Sequence, residues 1–204
     1  MRIRQHVNPL RADFLEIPLA PLVLPAGRPV EVELGSAEAQ FLEERAAEEP
    51  GRSYVGLELR RELVEQANRR CRRLGLPQVR SVFANISVDL PRLFPPGSVS
   101  RFFVNFPDPW FKHRQRKRRV VGEELVDQLA RLLVAEGEIW VATDIFDIAL
   151  EAMVALEQAG GFRNLREPWS FLRESGFAAR SRRERHCEEL GIKIWRLAYR
   201  RAPP

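Results

Sequence analysis

Short runs of β-branched and apolar residues recur along the chain at intervals of about two dozen residues, and the stretches between them carry helical periodicity. That alternation points to an α/β fold, a mostly parallel sheet with helices on both faces, because parallel neighbours are joined by a crossover, usually a helix. Strands are predicted over Val30 to Leu34, Ser53 to Glu58, Val79 to Ala84, Ser100 to Asn105 and Glu138 to Thr143. A helix over Glu38 to Glu48 is stopped by Pro50 and Gly51. The next, Arg60 to Leu74, aligns Leu63, Val64, Ala67, Cys71 and Leu74 on one face and stops at Gly75. Val121, Leu125, Val126, Leu129, Leu132 and Leu133 make a third apolar face, and Ile145 to Ala159 a fourth that ends at Gly160 and Gly161. Beyond Phe162 the pattern loosens into a polar, arginine-rich stretch from Arg166 to Gly191, then closes with IKIWRLAYR, which alternates like a half-buried strand. A last strand arriving from so long an excursion is expected to insert antiparallel.

At 204 residues the chain suffices for one such domain. No internal repeat or linker marks off a second, so residues 1–29 are read as an N-terminal extension and residues 30–204 as the domain. An apolar fraction of 45% with 30% charged residues argues against disorder. No apolar run approaches the roughly 20 residues that cross a bilayer, and the first residues are charged where a secretory signal needs an apolar stretch. A cytoplasmic protein without membrane contact is expected, as monomer or homodimer. Cys71 and Cys187 are isolated, and His6, His113 and His186 fall into no metal-ligand spacing, so no metal is expected.

Ligands of open α/β sheets bind beyond the carboxyl ends of the strands. The first strand runs into Glu33-Leu34-Gly35-Ser36-Ala37, a turn that is not GxGxxG, and no GxxxxGK[ST] loop exists. Glu58, at the end of the second strand, follows at about the spacing of the ribose-binding acid in nucleotide-binding sheets. Asn85, after the third, offers an amide oxygen to an adenine amino group. A glycine turn without phosphate-binding character, followed by ribose and adenine partners, suggests S-adenosyl-L-methionine.

After the fourth strand comes Asn105-Phe106-Pro107-Asp108-Pro109-Trp110-Phe111-Lys112. Its two prolines stiffen the backbone around Asp108 and fix the direction of that carboxylate. The net charge is +5, yet the eight residues from Lys112 to Arg119 hold six basic residues and no acid, and the remainder sums to −1. Cations so crowded repel one another unless a polyanion neutralises them, and Trp110 beside them offers a stacking surface for an unpaired base. Nucleic acid is the simplest partner.

The Glu33-x-Gly35 turn, the FPDPW-x-K segment with its trailing KRR, the strand ending Ala142-Thr143-Asp144 and the late stretch ending Leu190-Gly191 together resemble the bacterial tRNA (guanine-N7)-methyltransferases, in order from Val30 to Arg200. The resemblance implies a Rossmann-like class I methyltransferase domain with a seven-stranded sheet whose last strand is antiparallel. It also implies methyl transfer from S-adenosyl-L-methionine to N7 of the variable-loop guanine (position 46) of tRNA. By motif, Glu33, Gly35, Glu58, Asn85 and Asp108 line the cofactor site, with Asp108 also the catalytic residue. Lys112, Asp144, Ser181, Arg182, Arg183 and Glu184 contact substrate, and Arg114, Arg116, Lys117, Arg118 and Arg119 hold RNA phosphates.

The sequence departs from the family pattern at several places. Ala37 stands where a second glycine is usual, Asn85 for an aspartate, Ser181 for threonine, Arg182 for lysine, Arg183 for phenylalanine and Cys187 for glycine. The same residues leave two other readings open: a relative that methylates another RNA or purine-like acceptor, and a catalytically silent RNA-binding protein.

Overall fold

The computed structural model describes residues 8–108 and 122–202. Its strands are β1 Val30–Leu34, β2 Ser53–Glu58, β3 Val79–Phe83, β4 Val99–Asn105, β5 Leu133–Thr143, β6 Phe162–Asn164 and β7 Trp195–Arg201. They form one sheet in the order β3-β2-β1-β4-β5-β7-β6, in which β1 to β5 are parallel and β7 runs antiparallel to both β5 and β6. The Rossmann-like class I architecture and the antiparallel insertion are therefore both present. Helices are α1 Ala12–Leu15, α2 Gln40–Glu48, α3 Arg61–Arg73, α4 Ile86–Leu93, α5 Glu123–Leu132, α6 Phe146–Gln158 and α7 Arg182–Glu189.

Besides the four-residue α1, three elements form where the sequence gives no signal. Pro91 lies inside α4 and hides its periodicity. With only three residues, β6 is too short to show alternation. The sequence of α7, RRERHCEE, buries only Glu184 and Cys187, so no apolar stripe marks it. The fifth strand also starts earlier than expected, at Leu133, where a helix face was predicted to end.

Alternation sends Val30, Val32 and Leu34 of β1 into the main core beside Phe102, Val104 and Leu129, and turns Glu31 and Glu33 to the opposite face. There Glu31, Arg101, Glu138 and Arg200 sit side by side on β1, β4, β5 and β7, a row of alternating charge. Arg101 lies 2.5 Å from Glu31 and 3.0 Å from Glu138, and Arg200 lies 2.8 Å from Glu138. Arg45 of α2, fully buried, closes on Glu31 at 3.0 Å. Each charge of this row is thus matched by a charge of opposite sign. Phe177 covers the row: its ring stands 4.4 Å from the Arg45 guanidinium and 5.0 Å from that of Arg101, edge-on to Phe103 and Trp140. Glu48 and Glu44 of α2 accept the backbone N–H groups of Ala179 and Arg180, which fastens the long excursion before α7 to the sheet.

The segment before β1 also packs on the domain. Ile17 is buried, Leu19, Leu22 and Leu24 lie against the core, and Leu22 N donates to Leu93 O at 3.0 Å. Among the described residues, no helix is long and apolar enough to cross a membrane.

Candidate functional site

The strand order reverses at β1, with β2 and β3 to one side and β4 onward to the other, and such a switch point is where open α/β sheets hold their ligands. A cleft of about 1130 Å³ opens there. Glu33 from β1 and Asn105 from β4 meet at its floor, where Asn105 Nδ2 donates to Glu33 Oε1 at 2.9 Å. The other oxygen, Glu33 Oε2, is buried without a hydrogen-bond partner among the described residues. Burial pushes the Glu33 carboxyl up to about 8, against the pull of Asn105 and with the help of the nearby Glu58 charge. An open, buried carboxyl oxygen suits a cationic or hydrogen-donating ligand group.

Beyond β1 the chain turns tightly. Gly35 takes φ +82°, and the N–H groups of Gly35 and Ser36 both donate to Leu57 O. Ala37 takes φ +46°, a left-handed conformation that costs an L-residue with a Cβ about 1–2 kcal/mol. The position at which this sequence lacks the family's glycine is therefore one where the backbone favours glycine. Ala37 N donates to Glu58 Oε2 at 2.9 Å.

Glu58 stands at the end of β2, lining the cleft, and Arg60 grips it. Arg60 N and Nε donate to Oε1, and Arg60 Nη2 donates to Oε2, each at 2.9 Å. A carboxylate has about four acceptor sites, and with Ala37 N these bonds use all of them. A further donor at Glu58 would have to displace one of these bonds. The sequence reading missed Arg60 and Asn105; an acid–arginine pair two residues apart forms no motif, and Asn105 appeared only as the start of the FPDPW segment.

Asn85 follows β3, caps α4 and lines the cleft. Its Oδ1 accepts from Ser87 N at 3.1 Å, while Nδ2 donates to Pro9 O and Phe14 O. One lone pair of Oδ1 remains for an incoming donor. Pro9, held this way, forms part of the cleft wall.

Asp108 lines the same cleft beside Pro107, after Phe106 at φ +50°. Its charge helps to raise the Arg60 pKa, behind the larger effect of Glu58. Ser181, Arg182 and Arg183 form the opposing wall. Ser181 caps α7 by accepting from Glu184 N. Asp144, at the end of β5, is outside the cleft lining and pairs with Arg183 at 2.5 Å. Glu184 turns inward, buried against Arg196 at 2.7 Å. Lys112, Arg114, Arg116, Lys117, Arg118 and Arg119 lie outside the described residues. Among the described residues, no cluster of His, Cys, Asp and Glu is arranged to hold a metal.

Sheet order, antiparallel insertion and a cleft at the β1/β4 switch define a class I methyltransferase fold. Solved structures share it: a SAM dependent methyltransferase from Aquifex aeolicus superposes with TM-score 0.58 at 12% identity, covering 85% of this chain and 82% of that one. The [4+2]-cyclase SpnF gives 0.59 at 14%, covering 87% and 77%. The family model described as "Putative methyltransferase" matches residues 27–197. Curated proteins named tRNA (guanine-N(7)-)-methyltransferase extend the match. The one from Synechococcus sp. (strain JA-3-3Ab) is 38% identical over 96% of this chain and 84% of its own length. That from Microcystis aeruginosa (strain NIES-843 / IAM M-2473) is 35% identical over 98% of both. The chain belongs to the tRNA (guanine-N7-)-methyltransferase family.

Proposed function

We propose that the protein methylates N7 of the variable-loop guanine, position 46, of tRNA with S-adenosyl-L-methionine. The observation that carries the reading is the open oxygen of Glu33, buried at the β1/β4 switch point of a cleft whose rim holds Asp108. S-adenosyl-L-methionine supplies an electrophilic methyl group on a sulfonium. Glu33 accepts from its ammonium end, the Gly35 turn lets the backbone approach, Glu58 takes the ribose hydroxyls and Asn85 the adenine. Guanine N7 already presents a lone pair and carries no proton, so the chain supplies position rather than a strong base. Asp108 accepts from the N1 and N2 protons of the guanine and offsets the positive charge that moves onto the base, while Asp144, outside the cleft lining, orients Arg183 toward the substrate. Lys112, Ser181, Arg182 and Arg183 border the acceptor, Glu184 holds α7 in place, and the run from Arg114 to Arg119 binds backbone phosphates. The location proposed is the cytoplasm, where unmodified tRNA is met.

The test is incubation of purified protein with unmodified tRNA and labelled cofactor, followed by nucleoside analysis and mapping. 7-Methylguanosine at position 46 is expected. A methylated nucleoside of another kind, or no product, would overturn the reading. Asp108→Asn should lower kcat by about 10²- to 10³-fold while tRNA affinity stays within about twofold; near wild-type turnover would remove Asp108 from the site.

A further inference from the structure

A second cationic feature stands on α3, away from the basic run. Between Arg69 and Arg73 the chain places four arginines and no acid. Arg70 is engaged within the protein, donating from Nε to Glu43 Oε1 at 2.7 Å and from Nη2 to Glu38 O at 2.6 Å. Arg69, Arg72 and Arg73, three and four residues apart, share one exposed helix face. Glu65 approaches Arg69 only to 3.7 Å, with both side chains more than half exposed, and such a pair contributes little. Among the described residues, no ion pair reaches Arg72 or Arg73. Arg70, Arg72 and Arg73 all lie in the last turn of α3, where the helix dipole favours cations.

This face borders a groove of about 840 Å³ lined by Glu38, Gln66, Arg69, Arg70, Arg72 and Arg73. Glu38 also lines the cofactor cleft, so groove and cleft adjoin. We propose that Arg69, Arg72 and Arg73 form a second docking surface for RNA, which grips backbone phosphates of the tRNA whose guanine enters the cleft. Guanidinium forks match phosphate oxygens two at a time, and an adjoining groove lets one extended polyanion occupy both places. The surface fixes how the tRNA lies across the enzyme and reads no bases. The proposal rests on tRNA being the substrate.

The experiment measures binding of unmodified tRNA to the full chain between 50 and 200 mM salt, roughly the range over which phosphate contacts change affinity most visibly. For the triple variant Arg69→Gln, Arg72→Gln, Arg73→Gln, the slope of log K against log salt should fall by about 2–3, at roughly 0.7–0.9 per lost contact. The KM for tRNA should rise in step, while S-adenosyl-L-methionine affinity holds. Arg73→Gln alone, at an exposed helical position, should lower the slope by just under one, and the triple lysine variant should keep it. Slope and affinity equal to wild type in the glutamine variants would overturn the proposal. Failure of the substrate reading would appear separately, as absence of 7-methylguanosine with the wild-type protein.

Discussion

The side of the sheet proposed to hold the cofactor, β1 to β4, and the side proposed to hold the acceptor, β5 to β7 with the excursion that carries α7, reach the cleft by different means. Glu33, Glu58 and Asn85 arrive at the ends of three successive strands, each placed by the turn that follows it. Arg182 and Arg183 arrive through α2. Its Glu44 and Glu48 hold Ala179, Arg180 and Arg185 across sequence separations of 131 to 141 residues. One wall stands on the strand ends of the sheet, where Asn105 holds Glu33 and Asn85 holds Pro9 and Phe14, and the other is suspended from α2. Damage to the suspended wall should leave the cofactor wall intact, whereas damage at the root of α2 should be felt by both.

The sharpest way to break that distinction is at Arg45, which serves both sides by pairing with buried Glu31 and lying under Phe177. Arg45→Met should cost about 3–5 kcal/mol, the usual penalty for stranding one half of a buried pair. Thermal unfolding should show it, and a loss under about 1 kcal/mol would mean that Arg101 and Arg52 satisfy Glu31 alone.

Glu33→Gln probes the cofactor wall by itself. In the folded protein its carboxyl titrates near 8 and in the unfolded chain near 4.5, so the native state holds the extra proton between those values. Wild-type stability should therefore decline as pH rises through that window, and the glutamine variant should show a flatter profile in urea unfolding at pH 5, 7 and 9. Binding of the cationic cofactor should strengthen as pH rises toward 8 and release a proton below it, both effects vanishing in Glu33→Gln. Identical profiles for the two proteins would mean that Glu33 is already ionised.

Phe177→Ala should cost about 2 kcal/mol, less than a fully buried phenylalanine because the ring is half-buried. It should raise the KM for tRNA while leaving cofactor affinity unchanged; equal losses of both would erase the difference between the walls. The smallest effect is expected at Ala37→Gly, a gain of about 1 kcal/mol from relief of the left-handed backbone. No gain in the urea midpoint would show that the turn tolerates the Cβ without strain.

The same division separates what could be read in the sequence from what could not. That Gly35, Glu58 and Asn85 would meet at one cleft was legible because each lies at or just past the end of a strand whose apolar run announces it. FPDPW was legible by resemblance, since no periodicity argument assigns a role to Asp108. The bonds that Arg60 makes to Glu58, and the inward turn of Glu184 toward Arg196, depend on side-chain directions that spacing does not encode. Phe177 was illegible for a related reason: an isolated aromatic in a polar stretch gives no hint that its partners are guanidinium groups on α2 and β4.

The grip of Asn85 on the carbonyls of Pro9 and Phe14 has a practical side. Because Pro9 is itself part of the cleft wall, shortening the chain past Phe14 would remove both partners of Asn85 Nδ2 and open that wall. Ala202 is tied to Gly161 next to β6, at the outer margin of the sheet, and purification handles belong at that end.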